Sequence, residues 1–148
     1  KRPRHDHIVD TMNKIGVKIN FITDGDIAGA LSVIGDNPKN DIYYSTGGAP
    51  EGVVVAAALS CFGGQIQGKL MLNEEEKVRA KKLGITDFEK KYNIDDMVKG
   101  DVIFCATGVT SGDLANGVKN LGNEFEVNTF VLHKSQKIIK SVTNIYNK

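Results

Sequence analysis

With 148 residues, 41% of them apolar and 25% charged, the chain has the size and composition of one globular domain with a real core, which excludes a largely disordered segment. Its formal net charge of +1 excludes the broad basic field that draws in nucleic acid, and the one basic cluster is Lys1-Arg2-Pro3-Arg4. No apolar run reaches the length of a membrane-spanning helix, so neither nucleic acid nor membrane is expected as a partner.

Along the chain, Ile8, Met12 and Ile15 recur at helical spacing and Gly16 follows, which predicts a helix over 5–15. Val17, Ile19 and Phe21 alternate, which predicts a strand over 17–23 that Asp24-Gly25-Asp26 breaks. A short helix is expected over 27–34, a loop over 35–40, a second strand over 41–45 and a tight turn over 46–50. Residues 51–62 are apolar on nearly every face, the pattern of a helix in the middle of a protein, and Gly63-Gly64 ends it. A strand over 65–72 follows. Asn73 and Glu76 have capping-box spacing before a charged helix, and Thr86 and Glu89 repeat that signal for a shorter one. A strand over 101–106, a loop of small residues over 107–112 and two extended segments over 125–133 and 137–145 close the chain.

This alternation predicts the α/β class, one mixed β-sheet flanked by helices, in a single domain over 1–148 without internal repeats. Cys61 and Cys105 lie in apolar runs and read as free, buried thiols, which favours a reducing compartment and a cytoplasmic location. The charged start, without a signal-peptide core, reads as the interior of a larger protein.

Three segments have the residue types for anion chemistry. Arg2 and Arg4 flank the stiff Pro3, and guanidinium forks match phosphate oxygens in pairs; a solvated basic end is the plainer alternative. Asp24-Gly25-Asp26 follows an apolar strand, where open α/β sheets place ligands; its carboxylates suit a cation or sugar hydroxyls, or only a turn and helix cap. Gly47-Gly48-Ala49-Pro50-Glu51-Gly52 opens the apolar helix, with uncovered glycine amides, a proline suited to the first helical turn and a carboxylate at Glu51. Glu51 either favours the helix dipole or ligates Mg²⁺ or Mn²⁺. The spacing matches neither a Walker loop nor a Rossmann fingerprint. A fourth segment, 106–113, follows a strand and reads as a structural crossover loop. His5 and His7 do not share a helix face, which argues against zinc, and no Ser/His/Asp set is signalled around His133.

The order RPRH, DGD, GGAPEG, ATGVTSGDL, with FGGQIQGKL at 62–70 and ITDFEKKYNIDDMVKGDVIF at 85–104, closely resembles the C-terminal half of class II fructose-1,6-bisphosphatases. The resemblance runs from Lys1 to about Val118 and weakens beyond. It implies half of an IMPase/FBPase-like α-β sandwich. The implied activity is Mg²⁺- or Mn²⁺-dependent hydrolysis of the 1-phosphate of fructose 1,6-bisphosphate in gluconeogenesis. By the same resemblance, Arg2, Pro3 and Arg4 would bind substrate phosphate, Asp24, Gly25 and Asp26 the sugar, Gly48 the substrate through its backbone, and Glu51 the metal. Most metal-binding carboxylates and the groups that activate the nucleophile would come from an N-terminal half, so no catalytic acid, base or nucleophile is assigned. A homo-oligomer is expected. Sedoheptulose 1,7-bisphosphate as substrate, a non-catalytic sugar-phosphate-binding module, and a GGAPEG turn that only packs a helix remain the competing readings.

Overall fold

A computed structural model describes residues 3–22 and 25–148. Its organising element is α3 (Ala49–Phe62), a helix that lacks a polar face because nearly every side chain is valine, alanine, leucine or another small group. Such a helix needs neighbours on more than one side. On one side Val55 and Leu59 pack with Ala30 of α2 (Asp26–Leu31), and Ile27, Ile34, Tyr43, Ile66 and Ile94 close around them. On the other, Ala58 meets Phe104 and Leu132 of the C-terminal sheet. Ala56 and Ala58 are fully buried; side chains this small let helix and sheet approach closely.

The C-terminal sheet is antiparallel. β5 (Glu124–His133) is central: β3 (Ile103–Thr107) and β4 (Lys119–Asn120) pair with it over Thr129–His133 and Phe125–Glu126, and β6 (Ile138–Asn147) pairs with it along its whole length. Strand alternation turns Phe104, Ala106, Phe130 and Leu132 toward α3. Buried Asn128 fastens the sheet internally. Its amide donates to Ser141 Oγ and Thr143 Oγ1 at 2.8 and 3.1 Å, while its Oδ1 accepts the Asn116 N–H at 3.0 Å.

The remaining elements are short. α1 (Asp6–Lys14) ends where predicted, and a 3-10 turn over Pro3–His5 precedes it. β1 (Gln67–Lys69) pairs antiparallel with β2 (Lys91–Asn93). The predicted capping box is present on α4 (Glu74–Lys82): Asn73 Oδ1 accepts the Glu76 N–H, and Glu76 Oε2 accepts the Asn73 N–H.

The α/β class expected from the alternation holds, with different strand pairing. Among the described residues there are two antiparallel sheets rather than one mixed sheet. The predicted strands over 17–23 and 41–45 form no ladder in their described residues; a strand requires a partner as well as alternation. A hydrogen bond from Asn20 Nδ2 to Asn40 Oδ1, just ahead of the second segment, links them instead, and Gly29 of α2 lies against Ile22 of one and Tyr43 of the other. A Cβ on Gly29 would come within 2.6 Å of Ile22 and 2.7 Å of Tyr43, so only glycine permits that approach. No helix starts at Thr86; the second capping box belongs to Asn93 and Asp96 at α5 (Ile94–Met97). Both cysteines are free, but Cys105 is exposed rather than buried, because it alternates with Phe104 and Ala106 on the outer face of β3. No helix among the described residues is long and apolar enough to cross a membrane.

Candidate functional site

The turn that opens α3 is the meeting point of the predicted site. Pro50 sits in the first helical turn, where its missing N–H costs nothing, and Gly48 is the N-cap with extended backbone. The carboxylate of Glu51 folds back over that cap. A Cβ on Gly48 would fall inside van der Waals contact with Glu51 Oε2, so a larger residue would displace the carboxylate.

Two other segments reach the same turn. The Thr46 N–H donates to His5 Nε2 at 3.3 Å, across 41 positions of sequence. That bond requires an unprotonated Nε2 and brings the Pro3–His5 turn, with exposed Arg4, beside the glycines. The His5 ring also stands edge-on to Tyr44, 6.1 Å between centroids at 78°. From the other side comes the first residue of α2: a Cβ on Gly47 would lie 3.3 Å from Asp26 Oδ2. Asp26 Oδ1 accepts the Tyr43 hydroxyl at 2.9 Å. Burial, with a contribution from the Asp26 carboxylate, raises the Tyr43 pKa, so this phenol stays protonated and keeps donating. Gly25, ahead of Asp26, has φ 83°, a left-handed conformation suited to glycine.

Thr46, Gly47 and Gly48 therefore touch, in order, the turn that carries Arg4, the carboxylate of Asp26 and the carboxylate of Glu51. Of the residues singled out from the sequence, Asp26 and Glu51 lie against Gly47 and Gly48, Gly25 adjoins Asp26, and Pro3 and Arg4 belong to the turn that His5 ties to Thr46. Arg2 and Asp24 lie outside the described residues. Sequence reading did not identify Tyr43 or the acceptor role of His5. Their signal is positional: Tyr43 precedes the glycines by four residues, and His5 adjoins Arg4.

The site is polar, exposed and donor-rich on one side. The first-turn amides of the 14-residue helix favour negative charge, which Glu51 supplies from within that turn, and an arginine in the adjoining basic turn suits phosphate. Glu51 is an exposed carboxylate able to give one oxygen ligand to a hard divalent cation. No group of three or more His, Cys, Asp or Glu among the described residues forms a complete metal cage. Glu51 by itself can give one ligand and would need others to complete a site. Two cavities, of about 540 and 270 Å³, lie elsewhere, lined by such residues as Gln65, Asn93 and Lys134 in the first and Ser32, Asn37 and Phe130 in the second.

One further polar cluster has the composition of a hydrolytic triad but not its geometry. Asp101 Oδ2 accepts both Ser135 Oγ, at 2.6 Å, and His133 Nε2, at 2.8 Å, and Asp101 Oδ1 accepts the Ser135 N–H at 3.0 Å. A triad places the imidazole between serine and carboxylate through its two nitrogens. Here the serine donates directly to the carboxylate and is not activated. The cluster clasps the β5–β6 turn to the start of β3, and the Ser135 hydroxyl, then His133, hold the Asp101 carboxyl well below its usual range.

The family model "Bacterial fructose-1,6-bisphosphatase, glpX-encoded" matches residues 1–146. The chain is 33% identical over 160 aligned positions to "Fructose-1,6-bisphosphatase 1 class 2" of Escherichia coli (strain K12), covering 98% of the chain and 47% of that protein. Proteins named "Fructose-1,6-bisphosphatase class 2" from Escherichia coli O6:H1 and Shigella flexneri match to the same extent. The chain spans about half the length of these curated relatives.

Proposed function

The chain belongs to the glpX-encoded bacterial fructose-1,6-bisphosphatase family, and from that premise we propose that it supplies the substrate-holding part of a sugar bisphosphatase. The full polypeptide would hydrolyse the 1-phosphate of fructose 1,6-bisphosphate to fructose 6-phosphate and phosphate, in the cytoplasm. What supports the reading is the run of contacts at Thr46, Gly47 and Gly48, which sets a basic turn, a sugar-competent carboxylate and a metal-competent carboxylate around one helix N-terminus.

In this mechanism Arg2 and Arg4 hold phosphate oxygens as paired forks, and the Gly48 backbone approaches the substrate where no side chain intervenes. Asp24 and Asp26 accept hydrogen bonds from sugar hydroxyls, with the Tyr43 hydroxyl fixing the Asp26 carboxylate. Glu51 would give one ligand to Mg²⁺ or Mn²⁺, and the bound cation would supply charge neutralisation at the phosphoryl group and a lowered pKa for an attacking water. The other carboxylates, and the group that takes the proton, belong to the part of the polypeptide that the relatives have beyond this match. His5 positions the basic turn through its acceptor nitrogen.

The test is Glu51→Gln in the full-length protein. Loss of an anionic metal ligand should lower kcat by at least about 100-fold and weaken metal activation, while leaving the fold intact by circular dichroism. Activity within twofold of wild type would reduce GGAPEG to a packing turn. The 148-residue chain alone should release no phosphate, since one ligand does not hold a catalytic cation.

A further inference from the structure

The larger cavity lies at the opposite end of α3 from the glycine turn, roughly 20 Å away along the helix axis. Gly63 caps α3 in a left-handed conformation, φ 70°, and the chain reverses there, so that Ile66 packs back against Val55 and Leu59. Residues 65–67 form one wall, Ile94 and Asp95 at the start of α5 a second, and Lys134 of the β5–β6 turn a third. At about 540 Å³ the space falls in the range, roughly 300–1,000 Å³, that holds small organic ligands.

Lys134 is the one cation of this lining and Asp95 the one carboxylate. The lysine is half-buried, yet its ammonium makes no hydrogen bond or ion pair among the described residues. Its backbone is held firmly all the same. The Lys134 N–H donates to the Val102 carbonyl at 2.9 Å, and its two neighbours, His133 and Ser135, both bind Asp101. The clasp thus fixes an unpaired cation at the cavity wall, which lowers the ordering cost of taking an anion there. Asp95 limits the kind of anion. One carboxylate beside one ammonium leaves the lining neutral, so a dianionic phosphate is disfavoured and a single negative charge is matched. The Asp95 carboxylate accepts from hydroxyl groups, and the amides of Gln65 and Gln67 both donate to them and accept from them. Ile66 and Ile94 offer apolar surface for a carbon skeleton.

We propose that this cavity binds a sugar acid, a carbohydrate with one carboxylate: Lys134 pairs with the carboxylate, Asp95 and the two glutamines hold the hydroxyls, and the isoleucines face the carbon skeleton. A bound sugar acid bridges the start of α5 and the β5–β6 turn across the C-terminal end of α3. The site shares no residue with the glycine turn, so its failure leaves the phosphatase reading intact.

The experiment is equilibrium dialysis of the full-length protein against radiolabelled D-glucuronate, with D-glucose and acetate as controls. Glucuronate should bind once per chain and more tightly than either control, since glucose lacks the charge and acetate the hydroxyls. Lys134→Gln should weaken glucuronate about tenfold or more, the loss of a charge-assisted hydrogen bond. Asp95→Asn should weaken it less and leave acetate unchanged. Arg4→Ala should have no effect, and fructose 1,6-bisphosphate added without metal should not displace the label. Absence of glucuronate binding at millimolar concentration overturns the inference, as does unchanged affinity in Lys134→Gln or displacement by the bisphosphate. Asp95 is exposed, so Asp95→Asn carries the test where Lys134→Gln fails to fold, and unchanged affinity there overturns the inference too.

Discussion

The C-terminal sheet and the segment that bears the candidate site are held by different means. From β3 onward, long strands share regular ladders, a clasp at Asp101 closes the hairpin turn, and Asn128 satisfies its buried amide from three directions. Residues 17–22 and 41–48 form no ladder. Phe21, Ile22, Ile42 and Tyr44 are exposed there, and side-chain ties such as Asn20–Asn40, Tyr43–Asp26 and Thr46–His5 set the geometry. The contrast separates two tasks. α3 is anchored at its centre and C-terminal half by sheet and α2, while its N-terminus, with Val53 and Val54 exposed, faces outward with the site. The part held by regular ladders carries the helix; the part held by side-chain ties presents the candidate site groups.

The sharpest way to break that contrast is to delete apolar groups on either side of it. Leu132→Ala empties a fully buried position between β5 and α3 and should cost about 2–5 kcal/mol in urea unfolding. Phe21→Ala in the 148-residue chain should cost less than about 1 kcal/mol, since its ring is 52% exposed. In the full-length protein the Phe21 value should rise toward that of Leu132, if the remaining polypeptide covers this face. Equal costs in both lengths would place the covering surface elsewhere.

A middle-sized effect tests the sheet's internal fastening. Asn128→Ala leaves the Asn116 N–H, Ser141 and Thr143 without their shared partner. A loss of about 1–3 kcal/mol is expected for such a buried polar hub, again read from urea unfolding. A cost near zero would mean that water replaces the amide and that the loop over 108–118 is not tied to β6 through it.

The sequence was legible where the signal is local. The capping box at Asn73, the all-apolar helix after GGAPEG and the two late strands all come from spacing alone, because caps and alternation act within a few residues. It was not legible where pairing decides. Val17, Ile19 and Phe21 alternate as a strand does, yet alternation specifies a face and not a partner. At the site, the glycines, Asp26 and Glu51 could be singled out by residue type and by the resemblance. That Thr46 would hold His5, and Tyr43 would hold Asp26, are tertiary facts 41 and 17 residues apart. The Asp101–His133–Ser135 cluster escaped for the same reason.

That cluster sets the smallest expected effect, and its sign follows from the direction of the shift. The Ser135 hydroxyl and the His133 ring lower the Asp101 pKa in the folded state, so folding favours the carboxylate. The contribution is complete above the ordinary aspartate value of about 4 and fades as pH falls through the folded value below it. Asp101→Asn should therefore lower the Tm by a few degrees at pH 7, and the gap from wild type should narrow steadily below about pH 4. Because the carboxylate is exposed, added salt should narrow the gap as well. The same substitution should leave the site untouched, since the clasp sits on the sheet at the β5–β6 turn and the site is fastened through α2, His5 and the start of α3. A Tm gap that persists unchanged at pH 3 would assign the clasp's value to packing of the turn rather than to charge. A loss of Glu51-dependent activity on Asp101→Asn would show that the two regions are coupled through α3 after all.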